Sequence, residues 1–142
     1  MDKKLVYFAH PLTHYGTKFE QSCEQTIVGE FKLMGKDIIV FNPNQVWLDR
    51  LYTARKRDKV DDAFAIFEEI TSVCDITVGA TFHDGMLGAG VFKELKKSVQ
   101  CGCPTYLLYG KEKTLMPFDL DVHKRMALTI EETRERIKEK VL

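Results

Sequence analysis

The sequence has no surplus of either charge: 21 Lys and Arg residues balance 21 Asp and Glu residues over 142 positions. Nucleic-acid binding by counterion displacement needs clustered basic residues, so a nucleic-acid partner is not expected. No apolar run approaches the roughly 20 residues that span a bilayer, so no membrane association is expected. The opening Met1-Asp2-Lys3-Lys4 leads straight into a short apolar run, without a signal peptide's long apolar region or small-residue cleavage site. A cytoplasmic location is therefore expected. Metal-ligand spacing is missing as well. Cys101-x-Cys103 is shorter than the usual metal pair, and Cys23 and Cys74 fall on apolar helix faces, where a thiol acts as a small hydrophobe. Four reduced cysteines follow, with no metal and no cofactor. His14, His83 and His123 read as ordinary loop residues. No repeat, low-complexity stretch or linker divides the chain, so residues 1–142 form one domain.

What is present is a regular alternation of strand and helix signals. Leu5 to Ala9 is a short, nearly all-apolar run of the kind buried on both faces of a parallel sheet. After a loop from Pro11 to Gly16, Thr17 and Glu20 form a capping box for a helix whose apolar face is Phe19, Cys23, Ile27 and Phe31. Ile38 to Phe41 is the second strand. A short helix within Trp47 to Lys59 precedes a helix over Val60 to Cys74 with Phe64, Phe67, Ile70 and Val73 on its apolar face. Asp75 to Ala80 is the third strand, followed by the glycine-rich loop His83 to Gly90 and a helix with Val91, Leu95 and Val99 inward. Pro104 to Tyr109 is the fourth strand. A fifth, short strand is expected near Met126 to Leu128, then a helix capped by Thr129 and Glu132 with Ile130, Ile137 and Val141 buried.

Strands separated by helices predict an α/β, doubly wound, five-stranded parallel sheet in the flavodoxin-like (Rossmann-like) order 2-1-3-4-5. Ligands of such sheets bind at the carboxyl ends of strands 1 and 3, where the strand order reverses. Two loops are thereby singled out. The first runs from Ala9 through His10, Pro11 and Tyr15 to Gly16; the second holds Asp84, Gly85, Gly88 and Gly90 and runs into Glu94. Glycines there make a tight turn and also let a ligand approach the backbone and the helix N-terminus. Glu94 lies beside the Val91–Leu95 arc about one turn into its helix. It reads either as a partly exposed acid favoured by the helix dipole or as an acid facing the crevice.

Several of these segments resemble the nucleoside 2-deoxyribosyltransferase-like superfamily. Tyr7-Phe8-Ala9-His10-Pro11 is similar to that family's opening Tyr-x-Ala-Gly-Pro. Cys74-Asp75-Ile76 resembles its entry into the third strand. Gly90-Val91-Phe92-Lys93-Glu94, with Gly102-Cys103-Pro104 beyond it, resembles its Gly-Thr-x-x-Glu segment and following Gly-x-Pro. The likeness covers roughly residues 4 to 110. It departs at His10, where the family has Gly, and at Lys96, where the family again has Gly, as in a divergent branch.

The resemblance implies cleavage or exchange of the N-glycosidic bond of a nucleoside or nucleotide, with Glu94 as the nucleophile that forms a glycosyl ester. Asp84 or His10 would then protonate the leaving base. Tyr7 or Tyr15 would hydrogen-bond the nucleophile or the sugar, and Asn42 and Asn44 would touch the outer part of the ligand. A homo-oligomer is implied too, with Trp47, Tyr52 and Phe64 available as an apolar patch. Arg55-Lys56-Arg57 reads as a solvated face, with a phosphate contact as the other reading. The competing functional reading is a non-catalytic binder or sensor of a nucleotide-like ligand in the same crevice.

Overall fold

The computed structural model describes residues 3–59 and 62–142. A five-stranded sheet runs in the order β2-β1-β3-β4-β5 through the middle of the described chain. Its strands are β1 (Lys4–Ala9), β2 (Ile38–Phe41), β3 (Ile76–Ala80), β4 (Thr105–Tyr109) and β5 (Thr114–Pro117). The first four pair in parallel, as their helical connections require.

Alternation along β1 decides which helix packs where. Val6 and Phe8 point to one face, where Cys23, Ile27 and Phe31 of α1 (Lys18–Leu33) cover them. Tyr7 and Ala9 point to the other, packed with Val91 and Leu95 of α4 (Ala89–Gln100). α3 (Ala65–Val73) lies beside α4 on that second face, and Ile70 joins the same cluster. β3 is buried at all five positions, which is why it reads as an unbroken apolar run. All four cysteines are free, and among the described residues no helix is long and apolar enough to cross a membrane.

The fifth strand departs from expectation in place and direction. It is Thr114–Pro117, antiparallel to β4, with Leu115 opposite Leu108. The cause is a tight reversal directly after β4, with Gly110 at φ +69° and Lys113 at φ +58°, and Lys113 N–H bonded to Gly110 O at 3.2 Å. A turn this short can only make a hairpin; a parallel partner would need a crossover. Pro117 is tolerated at the end of this edge strand.

Met126 to Leu128 is no strand. Lys124–Met126 is a 3-10 turn, α5 (Leu120–His123) precedes it, and Ala127 makes a lone parallel bridge to Leu87. The helix expected from Val60 begins at Ala65, and Val60 and Asp61 lie outside the described residues. Val73, Val99 and Ile130, read as inward, are exposed. α2 (Val46–Arg57) fills the stretch that carried the weakest helical signal, and the final helix α6 (Ile130–Lys138) has its full Thr129–Glu132 capping box.

Gly79 sets the distance between β3 and α4. A Cβ there would lie 2.7 Å from both Leu95 methyl groups, and Leu95 is wholly buried. Gly79→Ala is therefore expected to lower stability by about 1–3 kcal/mol through overpacking, read as a lower urea midpoint with an unchanged slope.

Candidate active site

A cavity of about 490 Å³ opens at the carboxyl ends of β1 and β3. That volume is within the roughly 300–1,000 Å³ typical of small-molecule sites. Tyr7, His10, Pro11 and Tyr15 come from β1 and its loop, and Gly88, Gly90 and Glu94 from the start of α4. The two loops named by the switch-point rule thus meet around one space. Gly90 is needed there, since a Cβ would sit 3.2 Å from the Phe64 ring.

Glu94 is the centre of the site. It is 7% exposed and lines the cavity, so of its two readings the acid facing the crevice holds and the partly exposed acid does not, and its Oε2 is buried without a hydrogen-bond partner. Loss of water raises its pKa to about 8; the adjacent Tyr7 hydroxyl opposes the shift, and the charge of Glu68 adds to it. Tyr7 is itself wholly buried with an unpartnered hydroxyl, and burial plus the Glu94 charge push that hydroxyl well above its usual range. Tyr15 is raised for the same two reasons, with burial the larger.

His10 is held from both sides. Its ring stacks on Phe8 with centroids 4.0 Å apart. Nδ1–H donates to the Phe8 carbonyl at 2.9 Å, and Nε2–H donates to Glu20 Oε2 at 2.7 Å. Burial alone would raise Glu20, yet the bonds from His10 and from Gly16 N–H hold it at about 2, so it is an acceptor only. Both ring nitrogens of His10 are engaged, one by the Phe8 carbonyl and one by Glu20, and neither is free for a leaving base. The Thr17–Glu20 capping box is consequently half made: Thr17 Oγ1 accepts Glu20 N–H, but the Glu20 carboxylate turns away to His10 and Gly16.

Asp84 and Gly85 do not join the site. Asp84 is exposed and forms a two-pronged ion pair with Arg136 of α6, at 2.9 and 2.7 Å, which holds its carboxyl below the usual carboxylate range. Both residues border a separate, more open depression with Met116 and Met126. The pairing clips the glycine-rich loop to α6, a contact between segments far apart in sequence that loop spacing could not reveal. Thr133 of α6 accepts Ala89 N–H at 2.9 Å, so α6 also occupies part of the α4 N-terminus.

Among the other expected contacts, Pro11 and Asn44 line the cavity, and Asn44 also donates to Glu20. Ala9 is buried in the sheet, Gly16 serves Glu20, and Asn42 donates to Glu24, so these three stand behind the wall. Lys96 is exposed and away from the cavity. Sequence reasoning missed the far wall: Asp49 and Tyr52 of α2, Phe67 of α3, Phe82, Thr133 and Ile137. Tyr52 and Phe64, expected on an outer patch, face this cavity, while Trp47 is exposed.

The buried acid gives stability a pH signature. Between pH 4.5 and 8 folded Glu94 keeps a proton that the unfolded chain has released, so stability falls as pH rises through that window. Buried His14, lowered by desolvation to about 4, works oppositely between 4 and 6.5, because there the unfolded chain binds the extra proton. From pH 6.5 to 8.5 the Glu94 loss is therefore exposed. Glu94→Gln removes it, and the variant's stability relative to the parent is expected to rise by about 2 kcal/mol across that interval in urea unfolding.

Compared with known proteins, the chain matches no family model and no curated relative.

Proposed function

We propose that the chain cleaves or exchanges the N-glycosidic bond of a nucleoside or nucleotide, with Glu94 as nucleophile. The observation that carries this reading is a buried carboxyl with an unpartnered oxygen in the wall of a ring-lined cavity at the switch point. The resemblance of Tyr7 to Pro11 and of Gly90 to Glu94 to the nucleoside 2-deoxyribosyltransferase-like superfamily supplies the reaction type.

In this reaction an ionised Glu94 oxygen attacks the anomeric carbon, the bond to the base breaks, and a glycosyl ester forms. Water or a second base then takes the sugar and frees the carboxylate. Tyr7 supports the carboxyl from β1, and Tyr15 and Asn44 are placed to meet the sugar or the outer ligand. A cytoplasmic setting fits four free thiols. Self-association, which the resemblance also implies, would cover the exposed Leu12 and Val46 at the cavity and the exposed Trp47 next to Val46. The specific observation on the side of a non-catalytic binder is that the N–H groups of His10 and the carboxylate of Asp84 are already engaged.

Release of free base from a panel of nucleosides and nucleotides separates the two readings. Glu94→Gln is expected to lower turnover by about 10³-fold or more while the fold is retained. A 2-fluoro sugar analogue is expected to leave an ester on Glu94, seen by mass spectrometry of the digested protein. Because the attacking form is the carboxylate, kcat/KM is expected to climb with pH through a midpoint near 8. Near-native turnover by the Gln variant, or a label on another residue, would remove Glu94 from this role.

A further inference from the structure

We infer that the cavity is built for a positively charged N-glycoside lacking a phosphate, one whose base carries a fixed cation and departs neutral, such as an N-ribosylpyridinium. This deepens the glycosidic reading above and rests on it for the chemical step.

Three features of the cavity lead there. First, its described lining residues include six aromatic rings: Tyr7, Tyr15, Tyr52, Phe64, Phe67 and Phe82. Ring faces attract a desolvated cation. Second, its acidic side chains, Glu94 and Asp49, are not offset by any Lys or Arg among those lining residues. Three cations already stand against lining rings: Arg136, paired with Asp84, over Phe82; Lys93, 3.5 Å from Glu68, over Phe64; and the exposed Lys56 over Tyr52. None of them lines the cavity, where His10 is hydrogen-bonded to Glu20. A phosphate would find no Lys or Arg in the lining, whereas a cationic base would find rings and acidic side chains together.

Third, no side chain expected to protonate a base is free to do so. His10 spends both N–H groups on Phe8 and Glu20, and Asp84 is held by Arg136 outside the cavity. A neutral purine or pyrimidine leaves poorly without a proton. An N-glycosylpyridinium needs none. Glu94 Oε forms a bond to the anomeric carbon, the carbon–nitrogen bond breaks, and its electron pair stays on the pyridine nitrogen as a neutral base. Attack by a second neutral pyridine reverses the sequence, again without moving a proton. Attack by water releases one proton to solvent. Base exchange between pyridines thus asks no proton of His10 or Asp84.

The experiment uses pairs of compounds that differ in charge. Base release is measured for nicotinamide riboside, and for N7-methylguanosine beside guanosine, each rate divided by the uncatalysed rate of the same compound. The cationic member is expected to be accelerated about 30-fold or more beyond its neutral partner, and nicotinamide riboside beyond its 5′-phosphate. Adding 3-acetylpyridine is expected to give its riboside. Asp49→Asn is expected to reduce the cation's advantage over its neutral partner several-fold. Equal acceleration of guanosine and N7-methylguanosine would overturn the inference while leaving a Glu94-dependent glycosidase standing. Calorimetry with nicotinamide riboside and its uncharged dihydro form gives a reading independent of turnover. Tenfold or greater preference for the cation is expected, and equal affinity would overturn the inference even if cleavage occurs. Absence of Glu94-dependent release from every compound, with that preference intact, would instead defeat the glycosidic reading and leave a cation binder.

Discussion

A carboxyl group that water barely reaches is the constraint to which the rest of this site answers. An ionised carboxylate buried without a partner costs several kcal/mol, so a folded chain must pair it, hydrogen-bond it or let it keep its proton. The molecule does both kinds of thing around one cavity. Glu20 receives the His10 ring and Gly16 N–H and is held at about 2; Glu94 has an oxygen with no partner and is lifted to about 8. Environments that push two acids apart in this way divide their roles. Glu20 is a fixed charge that orients His10 and the loop after β1. Glu94 is poised between its two forms near neutral pH, and any ligand that favours the carboxylate draws on that balance.

The surrounding architecture keeps the acid where it is. Gly79 lets α4 press Leu95 onto β3, Gly90 lets Phe64 close over the helix start, and α6 is locked to the glycine-rich loop through Arg136 and Thr133. Each contact removes space that water would use. The helix bearing Glu94 thereby begins inside the protein, with rings from α2 and α3 standing where solvent would otherwise be. An aromatic, low-dielectric wall strengthens every charge placed against it, which ties the raised acid and the cation-seeking wall to a single cause.

The parts of this arrangement that are local in sequence were legible there. The apolar run of β1, the four-residue spacing of α1, the glycines before α4 and the strand order all follow from periodicity and connection rules, and with them the meeting of His10, Tyr15, Gly88 and Gly90 around Glu94. What was not legible depends on contacts between distant segments. Glu20 looked like half of a capping box because that motif is defined within four residues, and only the fold brings His10 to it. Asp84 looked like an acid in the site because its loop is in the site, and only α6 shows that Arg136 claims it. The fifth strand was misplaced because a four-residue reversal at Gly110 outcompetes the longer connection that a parallel strand needs. Phe67 was marked as inward by helical spacing, which does not say that inward here is a cavity, and Tyr52, in the stretch with the weakest helical signal, carried no motif and read as part of an outer patch.

The account stands on the protonation of one side chain, which can be observed directly. Titration of the glutamate carboxyl carbons by carbon-13 NMR, with Glu94→Gln used to assign the resonance, reads its midpoint in the folded protein. A midpoint near 8 is the predicted result. A midpoint at the ordinary value of 4.5 would mean that Glu94 is solvated or paired, and the buried, poised carboxyl on which the site is built would not exist.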